Sequence, residues 1–115
     1  MTNSAPDVVR AQFEAYRSGD EATARRLISD RLRFTSPQDD GITKEQFFAT
    51  CFPTARYFVQ QDIVDLQELG DGRVFLRYRA RRRDEPSFSN VEVITVVGGE
   101  IVDIRVYFGG PDDTP

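Results

Sequence analysis

Residues 88–108 read FSNVEVITVVGGEIVDIRVYF. Two runs rich in β-branched residues flank Gly98-Gly99, the pattern of two strands joined by a tight turn. The stretch before it, RVFLRYRAR at 73–81, has a period of two. Val74, Leu76, Tyr78 and Ala80 fall on one side, and Phe75 with Arg73, Arg77, Arg79 and Arg81 on the other. A turn around Asp84-Glu85-Pro86 separates it from 88–97. Gly70-Asp71-Gly72 separates it from an extended segment running from about Arg56 to Leu69. The second half of the chain is therefore an antiparallel meander.

The first half has helical spacing instead. Ser4 and Asp7 form a capping box, Val9, Phe13 and Tyr16 recur on one face, and Gly19 ends the helix. Asp20 caps a second helix, with Ala24, Leu27 and Ile28 on its apolar side. A short strand, LRFT, leads into a loop, SPQDDG. Thr43 and Gln46 then form a capping box for a third helix, with Ile42 and Phe47 as its hydrophobic staple. Phe48, Cys51 and Phe52 share a face, and Pro53 stops the helix. Helices first and a meander afterwards predict an α+β domain with the helices packed on one face of the sheet.

Composition narrows the function. At 115 residues the chain is expected to be a single domain, 1–115. Its net charge of −4 argues against nucleic acid as a partner, and no apolar stretch approaches the roughly 20 residues of a membrane span. The N-terminus lacks a basic region followed by an apolar core, so a cytoplasmic protein is expected. There is no histidine. That removes Ser-His-Asp and Cys-His arrangements and the usual zinc sites, leaving Asp, Glu, Tyr, Cys51 or Lys44 for any proton transfer. No phosphate-cradling glycine motif occurs, and neither a cofactor nor a metal is expected.

Glu92 stands among β-branched residues, and its surroundings depend on register. A two-residue turn at Gly98-Gly99 pairs Val97 with Glu100 and sets Glu92 opposite Arg105 on a solvated face. A bulged loop, with Gly99 left-handed and Gly98 near helical angles, pairs Val96 with Glu100. Glu92 then shares a face with Ile94, Val96, Val102, Ile104, Val106 and Phe108. The residues alone leave both open, since a one-residue slip exchanges surface for pocket.

The helix order, the segment DRLRFTSPQDDGITKEQFFATCFP and the ending FSNVEVITVVGGEIVDIRVYFGG resemble the SnoaL-like branch of the nuclear transport factor 2-like superfamily, over about Asp7 to Gly109. The resemblance implies a cone-shaped, curved antiparallel sheet wrapped around three N-terminal helices, with a pocket between them. It also implies the bulged hairpin, hence Glu92 in the pocket. It implies little about activity, because such proteins include isomerases, cyclases, hydrolases and binding domains. Compared with ketosteroid isomerases, the general base is missing at Ser36-Pro37, and the helix-one tyrosine corresponds to Gln12, with Tyr16 one turn later. Only Glu92 retains an acid. Dehydratase relatives depend on the absent histidine. The Asp-Arg-Asp cluster of epoxide hydrolases is not expected, because Arg77, Arg79 and Arg81 face away from the pocket.

The expected site therefore has Glu92 as its acid and Asp39 or Asp40 at the mouth as a second proton-transfer group. Its walls are expected from Gln12, Tyr16, Phe34, Ser36, Phe48, Cys51, Leu76, Tyr78, Ile94, Ile104, Val106 and Phe108. Tyr16 is placed to hydrogen-bond a pocket acid, and Cys51 is read as a structural thiol. The expected partner is a small hydrophobic molecule. The leading reading is a non-catalytic binding domain, and the alternative is an isomerase, cyclase or hydrolase using Glu92. The arginine run RYRARRRDEP is read as a solvated hairpin. An outer sheet face carrying Val91, Val93, Thr95, Arg105, Tyr107 and Phe75 suggests a homodimer packed sheet to sheet.

Overall fold

The computed structural model describes residues 4–112. Helix α1 (Ala5–Ser18) starts where the Ser4 hydroxyl accepts the Asp7 N–H at 3.2 Å and ends at left-handed Gly19. Helix α2 (Glu21–Leu27) is capped by Asp20. Helix α3 (Lys44–Thr50) has the full Thr43/Gln46 capping box. Pro53 does not simply stop it; the chain continues through a 3-10 turn, Phe52–Tyr57, so the extended segment starts at Phe58 rather than near Arg56.

Six strands follow these signals: β1 (Ile28–Ser36), β2 (Asp39–Ile42), β3 (Phe58–Gly70), β4 (Arg73–Arg82), β5 (Phe88–Val97) and β6 (Glu100–Pro111). The expected loop SPQDDG is instead a hairpin, with Ser36 paired to Asp39 across a Pro37-Gln38 turn. The sheet order is β2-β1-β6-β5-β4-β3, and the β1–β6 pair is parallel, so the sheet is mixed. Hairpin neighbours must run antiparallel. β1 and β6 are joined instead through α3 and the whole meander, which lifts that constraint.

Register shifts interrupt the β3–β4, β5–β6 and β1–β6 ladders. Each one bends its strand, so the open sheet curves around the helices. Val8, Val9 and Phe13 of α1 meet Val74, Leu76, Ile94 and Ile104 from the inner sheet face, with Phe47 and Phe52 closing one side. Lys44 is buried as a clamp. Its Nζ donates to the carbonyls of Arg25 at 3.0 Å and Ile28 at 2.8 Å and to Asp30 Oδ1 at 3.1 Å. This cation satisfies the exposed carbonyls where the seven-residue α2 ends, and it is committed to structure rather than proton transfer.

The last hairpin combines parts of both expected registers. Val97 pairs with Glu100, and Gly98 (φ 60°) and Gly99 (φ 81°) are both left-handed, as a two-residue primed turn requires. The extra residue lies not in the loop but in β6, where Val96 pairs with Ile101 and Thr95 with Asp103. Val102 is the residue left over. Glu92 consequently falls opposite Val106, not Arg105 or Ile104, and the inner face carries Ile101 in place of the expected Val102. Gly98 is not near helical angles. Gly98→Val and Gly99→Val should therefore cost similar stability, about 1–2 kcal/mol each, since both positions are left-handed and both have open space around an added Cβ. Chemical denaturation of the two variants checks this, and a loss confined to Gly99→Val would indicate the bulged loop.

Candidate functional site

Between the inner sheet face and the helices lies a cavity of about 540 Å³. Strand alternation supplies its wall: Leu76 and Tyr78 from β4, Asn90, Glu92 and Ile94 from β5, and Ile101, Ile104 and Val106 from β6. Ile101 and Ile104 can both point inward, although three residues apart, because Val102 is bulged out between them. The helix side contributes Val9, Gln12, Phe13 and Tyr16 from α1 and Phe47 and Cys51 near α3.

Most of the expected wall residues are thus brought together, including Phe34 and Ser36 from β1. Two are not. Phe48 is buried beside the cavity, packed edge-on against Phe47 and tilted against Phe52 with the Arg25 guanidinium 4.3 Å from its ring centre, and Phe47 takes the wall position. On α3, residues 47 and 48 are only 100° apart, so periodicity does not separate them. Asp40 is exposed and off the cavity, because strand β2 turns successive side chains to opposite faces. Phe108 touches the cavity at its rim, but it is 53% exposed and closes nothing.

Asp39 does line the wall. Its carboxylate accepts the Ser36 hydroxyl at 2.9 Å, and the Cys51 thiol lies 4.0 Å away. Ser36 also accepts the Gln38 N–H at 3.0 Å, so this group is bound into the β1–β2 turn. Burial pushes the Cys51 thiol above its ordinary range, in keeping with a structural cysteine.

The Tyr16 hydroxyl does not meet the pocket acid. It lies 2.8 Å from Thr54 Oγ1, and Thr54 donates its own proton to the Cys51 carbonyl at 2.6 Å. Tyr16 is therefore the donor in its pair. The partner of Glu92 is Tyr78. Gly109 N–H donates to Asn90 Oδ1 at 3.3 Å, and Asn90 Nδ2 donates to the Tyr78 hydroxyl at 3.1 Å. Tyr78 is left with its proton for Glu92, and this bond draws the acid's pKa down. Desolvation acts more strongly in the opposite sense and raises Glu92 from 4.5 to about 7. Tyr78 is pushed upward too, by burial and then by the Glu92 charge, so its hydroxyl stays protonated.

Asn90, Gln61 and Thr54 are wall residues that the sequence reading missed. Asn90 was within reach, standing two positions before Glu92 on the same side of one strand. Gln61 was not. The β3 ladder has register shifts on both sides of it, and these defeat a simple count of alternation.

The fold is that of NTF2-like proteins. An NTF2-like protein of unknown function from Cytophaga hutchinsonii ATCC 33406 superposes with a TM-score of 0.80 over 94% of this chain and 92% of that one, at 18% identity. An NTF2-like protein from Burkholderia xenovorans LB400 gives 0.78 over 96% and 87%, at 16% identity. A candidate polyketide cyclase from Pseudomonas putida KT2440 gives 0.73 over 93% and 92%, at 14% identity. Identities this low establish architecture rather than activity. Neither a protein-family model nor a curated protein sequence matches the chain. Among the described residues, no helix is long and apolar enough to cross a membrane, and no cluster of His, Cys, Asp and Glu could hold a metal ion.

Proposed function

We propose that this domain binds a small, mostly hydrophobic molecule through an oxygen atom that hydrogen-bonds to Glu92 and Tyr78. One observation carries the reading: a largely apolar cavity of about 540 Å³ has the polar chain Asn90–Tyr78–Glu92 on its sheet wall, ending in a buried carboxyl group. Cavities of a few hundred Å³ with few convergent polar groups suit small-molecule binding. The NTF2-like fold supports the reading by analogy. The purified protein, examined by native mass spectrometry, is expected to retain or take up one such molecule per chain. Val106→Trp fills the cavity and is expected to abolish uptake. Undiminished uptake by a folded Val106→Trp protein would overturn the proposal.

One observation favours an enzymatic reading as well. A carboxyl group titrating at about 7 populates both protonation states near neutrality, as a general acid or base must. In that reading Glu92 exchanges the proton, Tyr78 orients the acid and Asp39 is the second group; Asp40, exposed off the cavity, takes no part. Glu92→Gln then abolishes turnover with affinity retained, whereas a binding domain shows no turnover to lose.

For assembly, we propose a second copy on the outer sheet face. Phe75, Val93 and Arg105 lie side by side there, next to the row Arg77, Val91 and Tyr107, with Tyr107 55% exposed. Val93→Asp is expected to give monomers by placing a charge in a desolvated contact, at a cost of several kcal/mol. Arg105 stands directly across and can neutralise that charge, so Phe75→Asp, whose cross-strand neighbours are Gln67 and Val93, is the stricter test. Light scattering reads the result. A monomeric wild-type protein at high concentration would end the idea.

A further inference from the structure

Three side-chain amides are buried along the cavity wall, and they are not equivalent. Asn90 is satisfied at both ends, accepting from Gly109 N–H and donating to Tyr78. Gln12, on α1, and Gln61, on β3, are 8% and 5% exposed, and both line the cavity. Neither carboxamide is hydrogen-bonded to another described residue; the one bond made by Gln61 uses its backbone carbonyl, which accepts from Arg17 Nη1 at 3.3 Å. Neither amide is among the enclosed side-chain polar atoms without a partner, so both are open to the cavity and to whatever fills it.

We infer that Gln12 and Gln61 determine ligand specificity in this cavity, and that the ligand is a neutral, hydroxylated hydrophobic compound. The inference rests on the cavity being a ligand site, and it adds the chemistry of the ligand's second polar end. A carboxamide offers both an acceptor oxygen and two N–H donors. An ammonium has no acceptor for those N–H groups, and a carboxylate has no donor for the oxygen. A hydroxyl both donates and accepts, so it satisfies either edge of the amide. The charged wall residues agree with a neutral ligand. Asp39, Glu85 and Glu92 are acids, and the cation Arg82 is exposed, with its guanidinium 5.4 Å over the Phe58 ring. No buried cation among the described wall residues would receive an anionic ligand.

Titration calorimetry with naphthalene probes separates the possibilities. The probes are 2-naphthol, a set of dihydroxynaphthalene isomers, and 2-naphthoate as the anionic control. The best dihydroxynaphthalene is expected to bind the wild-type protein about three- to tenfold more tightly than 2-naphthol, the yield of one or two net hydrogen bonds. Gln12→Leu and Gln61→Leu should each erode that preference and together erase it, so that the double variant binds the dihydroxynaphthalene no more tightly than 2-naphthol. Both variants should melt no lower than the ligand-free wild type, because neither amide is hydrogen-bonded to another described residue. A preference that survives both substitutions, tighter binding of 2-naphthoate, or variants that melt lower would overturn the inference while leaving the cavity as a ligand site. Failure of the wild type to bind any probe would instead overturn the ligand-site reading and this inference with it.

Discussion

Glu92→Gln is expected to stabilise the ligand-free protein by roughly 3 kcal/mol at about pH 8 and to change it little at about pH 4. The cause is desolvation, which raises the carboxyl from 4.5 to about 7 against the opposing hydrogen bond from Tyr78. The sign follows from which state ionises first. Below 4.5 the acid is neutral in folded and unfolded chains alike, and the favourable burial of the neutral form is fully present. Between 4.5 and about 7 the unfolded chain ionises while the folded one does not, so stability falls as pH rises. Above about 7 both are ionised, and the loss levels off. Glutamine mimics the neutral acid and can still accept from Tyr78, so the variant lacks this decline. Urea denaturation of both proteins across that window yields a difference curve in which the other carboxylates cancel. Superimposable profiles would show that Glu92 is solvated and would remove it from the site.

Gly72→Ala should cost about 3 kcal/mol or more, far beyond the usual effect of one added methyl group. Gly72 has a φ of 77° in the turn between β3 and β4, where an L-residue is already strained. Its missing Cβ is also where the Val96 carbonyl oxygen of β5 sits, so an added methyl group collides with backbone. Retreat is blocked, because the Gly72 carbonyl accepts the Val96 N–H at 2.8 Å. Gly70→Ala is the control. Its φ is 96°, but the space around its Cβ is open, so it should lose about 1–2 kcal/mol from strain alone. Thermal and chemical denaturation rank the two, and equal losses would mean that the turn does not approach β5 this closely.

Much of the fold was legible because it depends on short-range chemistry. The Thr43/Gln46 box and the stop at Gly19 are local hydrogen-bond and steric rules, and both are present in the structure. Alternation in β4 placed Val74, Leu76, Tyr78 and Ala80 on one side without any knowledge of what covers them. The hairpin hidden in SPQDDG escaped, since a turn-rich sequence does not show whether its flanks will pair. The parallel β1–β6 contact escaped too, because no local signal links strands so far apart in the chain.

The site divides along the same line. Residue order and composition suffice to put an acid in a β-branched strand, to set Tyr78 and Glu92 on adjacent strands of a meander, and to leave no histidine for their chemistry. That Glu92 faces the cavity depends on strand pairing across the folded sheet. Alternation relates residues within a strand but leaves the offset between strands undetermined, and here one bulged residue, Val102, undoes the solvated register that the tight Gly98-Gly99 turn would otherwise impose. The partners of the two tyrosines were likewise decided by packing. Thr54 lies far from Tyr16 in the chain, and the 3-10 turn after α3 brings its hydroxyl within 2.8 Å, so Tyr78 rather than Tyr16 holds the acid.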